Sequence, residues 1–201
     1  MNFSYQTIAN PVEEISFKEK GSKFIGYAFP VLDEEEIKDN LIQLWQKYPD
    51  ATHICYAFRL GVDGEKYRAN DDGEPSGSAG LPIYNQIVSK EITNVLVCSV
   101  RFYGGTKLGV SGLVKAYKLS AQMVLEEAKI IEKFLTEKIR FEFSYEDQGS
   151  VMRNIDKANA EVISTEFTDK CVVVVRIRKD NLENFLAQFE PLYQVKIFIF
   201  E

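Results

Sequence analysis

Residues 51–60 alternate strictly between two faces. Ile54, Tyr56, Phe58 and Leu60 take one, and His53, Cys55, Ala57 and Arg59 take the other, the period-two pattern of a strand. Gly61-Val-Asp-Gly64 is a turn signal, so residues 65–69 are predicted to return as the second arm of a hairpin. Upstream, residues 14–17 and 23–31 read as strands. Ile37, Leu41, Leu44, Trp45 and Tyr48 then recur at helical spacing. Asp33 stands where an N-cap belongs, Glu34, Glu35 and Glu36 suit the positive end of the helix dipole, and Pro49 stops the helix. A short helix is predicted over 78–89, the strongest strand over 92–103, and a long helix over 110–131. The long helix carries a stripe of Val110, Leu113, Val114, Tyr117, Ala121, Val124, Leu125 and Ala128.

Beyond residue 134 the order is strand, helix, strand, strand, helix, strand. The strands are predicted at 138–143, 161–168, 171–178 and 192–200, and the helices at 146–158 and 181–189. Asp169-Lys170 turns the central hairpin. A βαββαβ order is the split-βαβ, ferredoxin-like pattern. The expected fold class is therefore α+β in two domains, 1–134 and 135–201, with a hinge at 133–137. The first is expected to be a two-layer domain, a mainly antiparallel sheet with helices on one side. Its other side would stay open and present His53, Arg59, Ser99, Arg101 and Tyr103.

Composition sets the setting. Of 201 residues, 45% are hydrophobic and 27% charged, ordinary for a globular chain, and there is no long apolar run to cross a membrane. Met1-Asn-Phe-Ser-Tyr-Gln lacks the basic start and apolar core of a signal peptide. Cys55, Cys98 and Cys171 lie far apart in strand-like runs, which argues against disulfides or zinc and for a cytoplasmic location. The net charge of −6 disfavours nucleic acid until its distribution is read. From Ile92 to Leu125 there is no acid, while Arg101, Lys107, Lys115 and Lys118 are all basic. That stretch is either a solvated helix face or a local patch that steers an anion.

The chemistry gathers in two glycine-rich loops. In the second, a strand runs into Gly104-Gly105-Thr106-Lys107, then Gly109, Gly112 and a helix. This layout presents backbone amides and a positive dipole to an anion, although it equally serves a tight strand-to-helix connection. It lacks the Walker A spacing. The first loop holds Asp71, Asp72, Glu74, Pro75 and Ser76. Such carboxylates suit Mg2+, general acid–base work, or plain turn geometry with Glu74 paired to an arginine. His53 is the only histidine, so any triad would use it with Ser76, Ser78 or Cys55, yet no Gly-x-Ser-x-Gly is present. Opposite charges at Glu74 and Arg101 predict that the two loops meet on one surface. The candidate binding set is His53, Arg59, Asp72, Glu74, Ser76, Arg101, Tyr103, Gly104, Gly105, Lys107, Lys115 and Lys118, with no metal and no cofactor.

Asp72-Gly-Glu-Pro-Ser-Gly77 and Arg101-Phe-Tyr-Gly-Gly-Thr-Lys-Leu-Gly109 closely resemble the paired loops of the YigZ/IMPACT family. Lys20-Gly-Ser-Lys-Phe-Ile25 and Ala51-Thr52-His53 are similar to its opening motifs, with Ile54 where the family usually has a second histidine. The resemblance implies an N-terminal domain like domain IV of elongation factor G and a C-terminal domain like that factor's domain V. It implies ribosome or RNA association, or a translation-related protein partner, since the eukaryotic relative regulates translation by binding a kinase activator. The expectation is a non-catalytic regulator without membrane attachment. The alternative is a small-molecule hydrolase, acting on a peptide or phosphate ester, centred on Asp72, Glu74, His53 and Lys107.

Overall fold

Eleven strands and five α-helices make up residues 2–200, the part of the chain described by the computed structural model. The strands β1 (Ser4–Ile8), β2 (Val12–Glu19) and β3 (Ser22–Pro30) come first. Helix α1 (Glu34–Lys47) follows, then the hairpin of β4 (His53–Leu60) and β5 (Lys66–Asn70), helix α2 (Gly80–Ser89), β6 (Val95–Phe102), helix α3 (Val110–Glu126) and β7 (Ile130–Phe134). Asp33 caps α1 as expected, its Oδ1 accepting from the amides of Glu35 and Glu36 at 2.9 Å each. Such a cap is worth about 1 kcal/mol. By contact density the chain separates into two compact units, residues 4–133 and residues 134–200.

The first unit is built on an antiparallel five-stranded sheet in the order β2-β3-β6-β4-β5. One of its faces sets Cys55, Ala57, Val95 and Val97 against Ile83 and Ile87 of α2 and Leu113, Tyr117 and Val124 of α3. The other sets Ile54, Phe58, Leu60, Leu96, Cys98 and Val100 against Ile37 and Leu44 of α1. This corrects the two-layer expectation: helices cover both faces, giving three layers. The parity reading separated the two residue sets properly and erred in leaving one face open. The His53 face lies beneath α2 and α3, and Ser99 Oγ meets Ser120 Oγ of α3 at 2.7 Å there. The α3 stripe is buried at Leu113, Tyr117 and Val124, but α3 ends at Glu126 rather than at 131. Ile130 and Ile131 instead belong to β7, which pairs with β1. Neither short strand was expected.

The second unit comprises β8 (Thr136–Phe143), a 3-10 turn and helix α4 (Gln148–Lys157), β9 (Glu161–Phe167), β10 (Cys171–Arg178), helix α5 (Leu182–Ala187) and β11 (Lys196–Phe200). Its antiparallel sheet has the order β11-β8-β10-β9. One core holds Ile139, Phe141, Phe143, Val173, Val175 and Ile177 against Val151 and Ile155 of α4 and Phe185 of α5. Among the described residues, no helix is long and apolar enough to cross a membrane.

Candidate functional site

The register of β4 on β6 places His53 opposite Arg101, at the end of the sheet where both glycine-rich loops emerge. Arg101 is only 4% exposed, so its charge must be matched. Its Nη1 donates to Glu74 Oε1, and its Nη2 donates to Ser22 Oγ at 3.3 Å. The same Glu74 oxygen accepts from the Tyr117 hydroxyl at 2.7 Å. Glu74, with a side chain 5% exposed, thus ties the first loop to β6 and to α3. The expected convergence of Glu74 and Arg101 is present as a buried ion pair. The guanidinium lies 5.6 Å from the ring centres of both Phe24 and Tyr103, and its Nε has no partner among the described residues.

His53 is held from one side. Its Nδ1 lies 2.6 Å from the Asp72 carbonyl oxygen, an acceptor, so Nδ1 carries the proton in that bond. The ring's Nε2 lies 3.9 Å from Glu74 Oε1. The other carboxylates of the loop are occupied by backbone. Asp72 Oδ2 accepts from the Ile54 amide at 2.6 Å. Asp71 accepts from the amides of Gly77, Ala79 and Gly80 at 2.7, 2.9 and 2.8 Å, serving the start of α2. Asp71, Asp72 and Glu74 therefore do not converge on one point, and among the described residues no group of three metal-capable side chains does.

The thiol offered as a nucleophile fares no better. Burial pushes Cys55 well above its ordinary range, with the Glu74, Asp72 and Asp71 charges adding to the effect. Burial likewise pushes the Tyr117 hydroxyl upward, followed by the influence of Cys55 and Glu74. Both stay protonated and act as donors: Cys55 Sγ reaches the Asp71 carbonyl at 3.1 Å.

Gly104 and Gly105 differ: Gly105 takes a φ of 83° with open space around it, whereas Gly104 is packed on backbone. A Cβ on Gly104 would sit 1.9 Å from the Gly21 carbonyl carbon, so this glycine exists to let two backbones touch. The Gly104 amide donates to Ser22 Oγ at 3.2 Å, and the Lys20-Gly-Ser22 motif is thereby locked to the second loop. Gly109, at φ 73°, is the N-cap of α3 and supplies no side-chain cap; the helix has no acid in its first turn. The α3 start therefore keeps its positive dipole uncompensated by side chains.

A cavity of about 480 Å3 opens at this point, lined by Thr52, His53, Glu74, Pro75, Arg101, Tyr103, Lys107, Leu108, Gly109, Val110 and Leu113. Five of the sequence candidates line it, His53, Glu74, Arg101, Tyr103 and Lys107, and Asp72 braces His53 from outside the lining. Tyr103 is 47% exposed at its rim, and Thr52 Oγ1 fixes the Tyr103 amide at 2.9 Å. Lys115 lines a neighbouring groove with Lys20, Phe17 and Leu119, and Lys118 is exposed farther along α3. Ser76 is exposed in the first loop. Arg59 does not join the site. Its guanidinium donates to the carbonyls of Ile92 and Asp63 at 3.2 and 2.8 Å, bracing the β4–β5 turn. Sequence reasoning missed Tyr117, Ser22 and Thr52 as site residues. For Tyr117 a signal existed, since a tyrosine in a buried stripe must find a partner for its hydroxyl.

Residues 20–125 match the Impact N-terminal domain. The IMPACT family member YvyE of Bacillus subtilis (strain 168) is 33% identical over 135 residues, 67% of this chain and 62% of that protein. An IMPACT family member of Haemophilus influenzae is 29% identical over 185 residues, 89% of this chain and 88% of that one. A solved structure described as a hypothetical protein superposes with a TM-score of 0.74 at 25% identity, covering 100% of this chain and 99% of its own. With the matched segment spanning both loops and the motif that locks them, the chain belongs to the IMPACT family.

Proposed function

We propose that this protein is a non-catalytic, translation-associated regulator that docks an RNA, alone or in the ribosome, on the surface around the 480 Å3 cavity. The observation carrying this reading is the free cationic rim over a neutralised floor. Arg101 is matched by Glu74, whereas Lys107 is exposed beside the uncapped start of α3. Half-exposed Tyr103 offers a ring face to a base, and Lys107 with the α3 amides offers donors to phosphate. The family's link to translation supplies the setting, and fold likeness alone would not. The βαββαβ order of the second unit supports its reading as a ferredoxin-like domain of the kind found in elongation factor G.

A translation-related protein is the second reading. It draws on an exposed apolar stripe of α2, Leu81 and Val88, beside the stacked Tyr67–Tyr84 pair at 4.8 Å. The hydrolase reading is weaker, because Asp72 and Glu74 are committed to backbone and to Arg101. Co-sedimentation with ribosomes across a salt series separates these readings. Binding that weakens steeply with salt and drops in Lys107→Ala supports the RNA surface. Salt-insensitive binding that survives Lys107→Ala favours the protein partner, and robust turnover abolished by Asp72→Asn in a hydrolase screen returns the enzyme.

A further inference from the structure

A sheet has two edges, and an edge left bare is a template for another strand. Three of the four edges of the two large sheets here are guarded. Edge strand β2 carries Glu13, Glu14, Lys18 and Glu19 and a register shift after Val12. Edge strand β5 is five residues long and carries Lys66 and Arg68. Edge strand β9 also exposes Val162, Ile163 and Phe167, but Glu161 and Glu166 flank and interrupt them and the strand sits across a bulge at Val174/Val175. The fourth edge, β11, reads Lys196-Ile-Phe-Ile-Phe200, pairs with β8 without a shift, and has no proline, glycine or acid. Its Phe198, Ile199 and Phe200 are 44%, 49% and 45% exposed. Phe198 and Phe200 point to one face of the sheet and Ile199 to the other, so apolar surface is bare on both sides of a free backbone edge.

We infer that β11 is a homodimer edge, pairing antiparallel with β11 of a second copy about a two-fold axis at Phe198. The sequence of this strand is complementary to itself in that register. Phe198 faces Phe198, Ile197 faces Ile199, and Lys196 faces Phe200, so the one charge lies over an aromatic ring rather than against a like charge. Every cross-strand pair is apolar or cation–aromatic, and a shift by one residue either way places Phe198 opposite Ile197 or Ile199 and removes the central aromatic pair. The two four-stranded sheets would join into one of eight strands, and both free edges would disappear at once. An isologous contact of this kind closes at two copies and does not propagate, because β9, the remaining edge, is guarded. Five residues a side make a small interface, so the dimer forms in a concentration-dependent way.

Sedimentation equilibrium of the full chain over a wide concentration range tests this. The expected result is a mass rising from monomer to dimer and no further. Phe198→Lys sets like charges face to face and should weaken association about tenfold or more. The position is solvent-exposed, so circular dichroism and the melting curve should stay unchanged. Phe200→Lys, opposing Lys196 twice, should weaken it in the same direction. Mixing Phe198→Lys with Phe198→Glu should restore a heterodimer, an outcome specific to residue 198 facing its own copy. A monomer at every concentration overturns the proposal. So does a dimer indifferent to Phe198→Lys, or a mixture that associates no better than its two components.

Discussion

Strands β6 and β10 are both apolar runs near the middle of their sheets, Val95-Leu-Val-Cys-Ser-Val-Arg-Phe102 and Cys171-Val-Val-Val-Val-Arg-Ile-Arg178, yet they are buried differently. Seven consecutive residues of β6 are buried, whereas β10 alternates, with Cys171, Val173, Val175 and Ile177 buried and Val172, Val174 and Arg176 half-buried. An apolar run reveals that a strand lies inside a sheet but not how many layers cover it. The count is decided by helices elsewhere in the chain. Around β6, α1 takes one face while α2 and α3 take the other. Around β10, α4 and α5 both pack into a single core.

The largest expected effect concerns charges placed on the two sheets. Glu74→Gln leaves Arg101 buried beside a neutral partner and should cost about 3–5 kcal/mol in urea denaturation. Glu161→Gln removes the partner of Arg176 on the half-covered sheet, where the two side chains are 63% and 38% exposed. That change should cost about 1 kcal/mol or less. Equal costs would erase the distinction between the sheets.

Truncation of apolar side chains comes next. Leu96→Ala and Val97→Ala point to opposite faces of β6, and each should cost about 2 kcal/mol or more, since each leaves a cavity in a packed core. On β10, Val173→Ala should behave likewise, and the adjacent Val174→Ala should cost about 1 kcal/mol or less. A cheap Val97→Ala would mean that the α2–α3 face is not a true core.

Alkaline pH sharpens the same contrast. Tyr27 packs beneath α1 and Tyr117 projects from α3 into the opposite core, and burial, first among the causes, pushes both hydroxyls far above their ordinary value of 10.0. The unfolded chain therefore gives up these protons first. Stability from this source is complete below about pH 10 and declines as pH rises further. The second unit's tyrosines, Tyr145 and Tyr193, are exposed. Thermal melts from pH 8 upward should show the first unit failing earlier, and Tyr117→Phe should lessen its decline. The smallest effect is kinetic. Cys55 and Cys98 face opposite layers, and burial pushes both thiols up. A thiol reagent should therefore label them only after unfolding, and fast labelling of either would expose its layer as open.

The sequence made the elements legible where local chemistry decides them: the capped α1, the β4–β5 hairpin and the α3 stripe. It failed where tertiary pairing decides. Ile130 and Ile131 continue the helical spacing of α3, so the pattern extends the helix, but pairing of β7 with β1 ends it at Glu126. The open-face error had the same origin, because nothing local to β4 or β6 says that α1 returns to the face opposite α2. At the site, the meeting of Glu74 and Arg101 followed from their opposite charge and their places in the two signature loops. The function of Gly104 did not, since its reason is the backbone of Gly21 some eighty positions earlier, a contact that no spacing rule predicts.

The functional claim rests on Tyr103 and Lys107 contacting RNA, and fluorescence anisotropy with a short single-stranded RNA tests it most directly. Affinity of the unaltered protein should fall linearly on a log–log plot against salt, because phosphate contacts release counterions. Lys107→Ala should flatten that slope by about one unit. Tyr103→Ala should leave the slope alone and cost about 1–3 kcal/mol. Binding insensitive to salt, or unchanged in both variants, would contradict an RNA surface at this site.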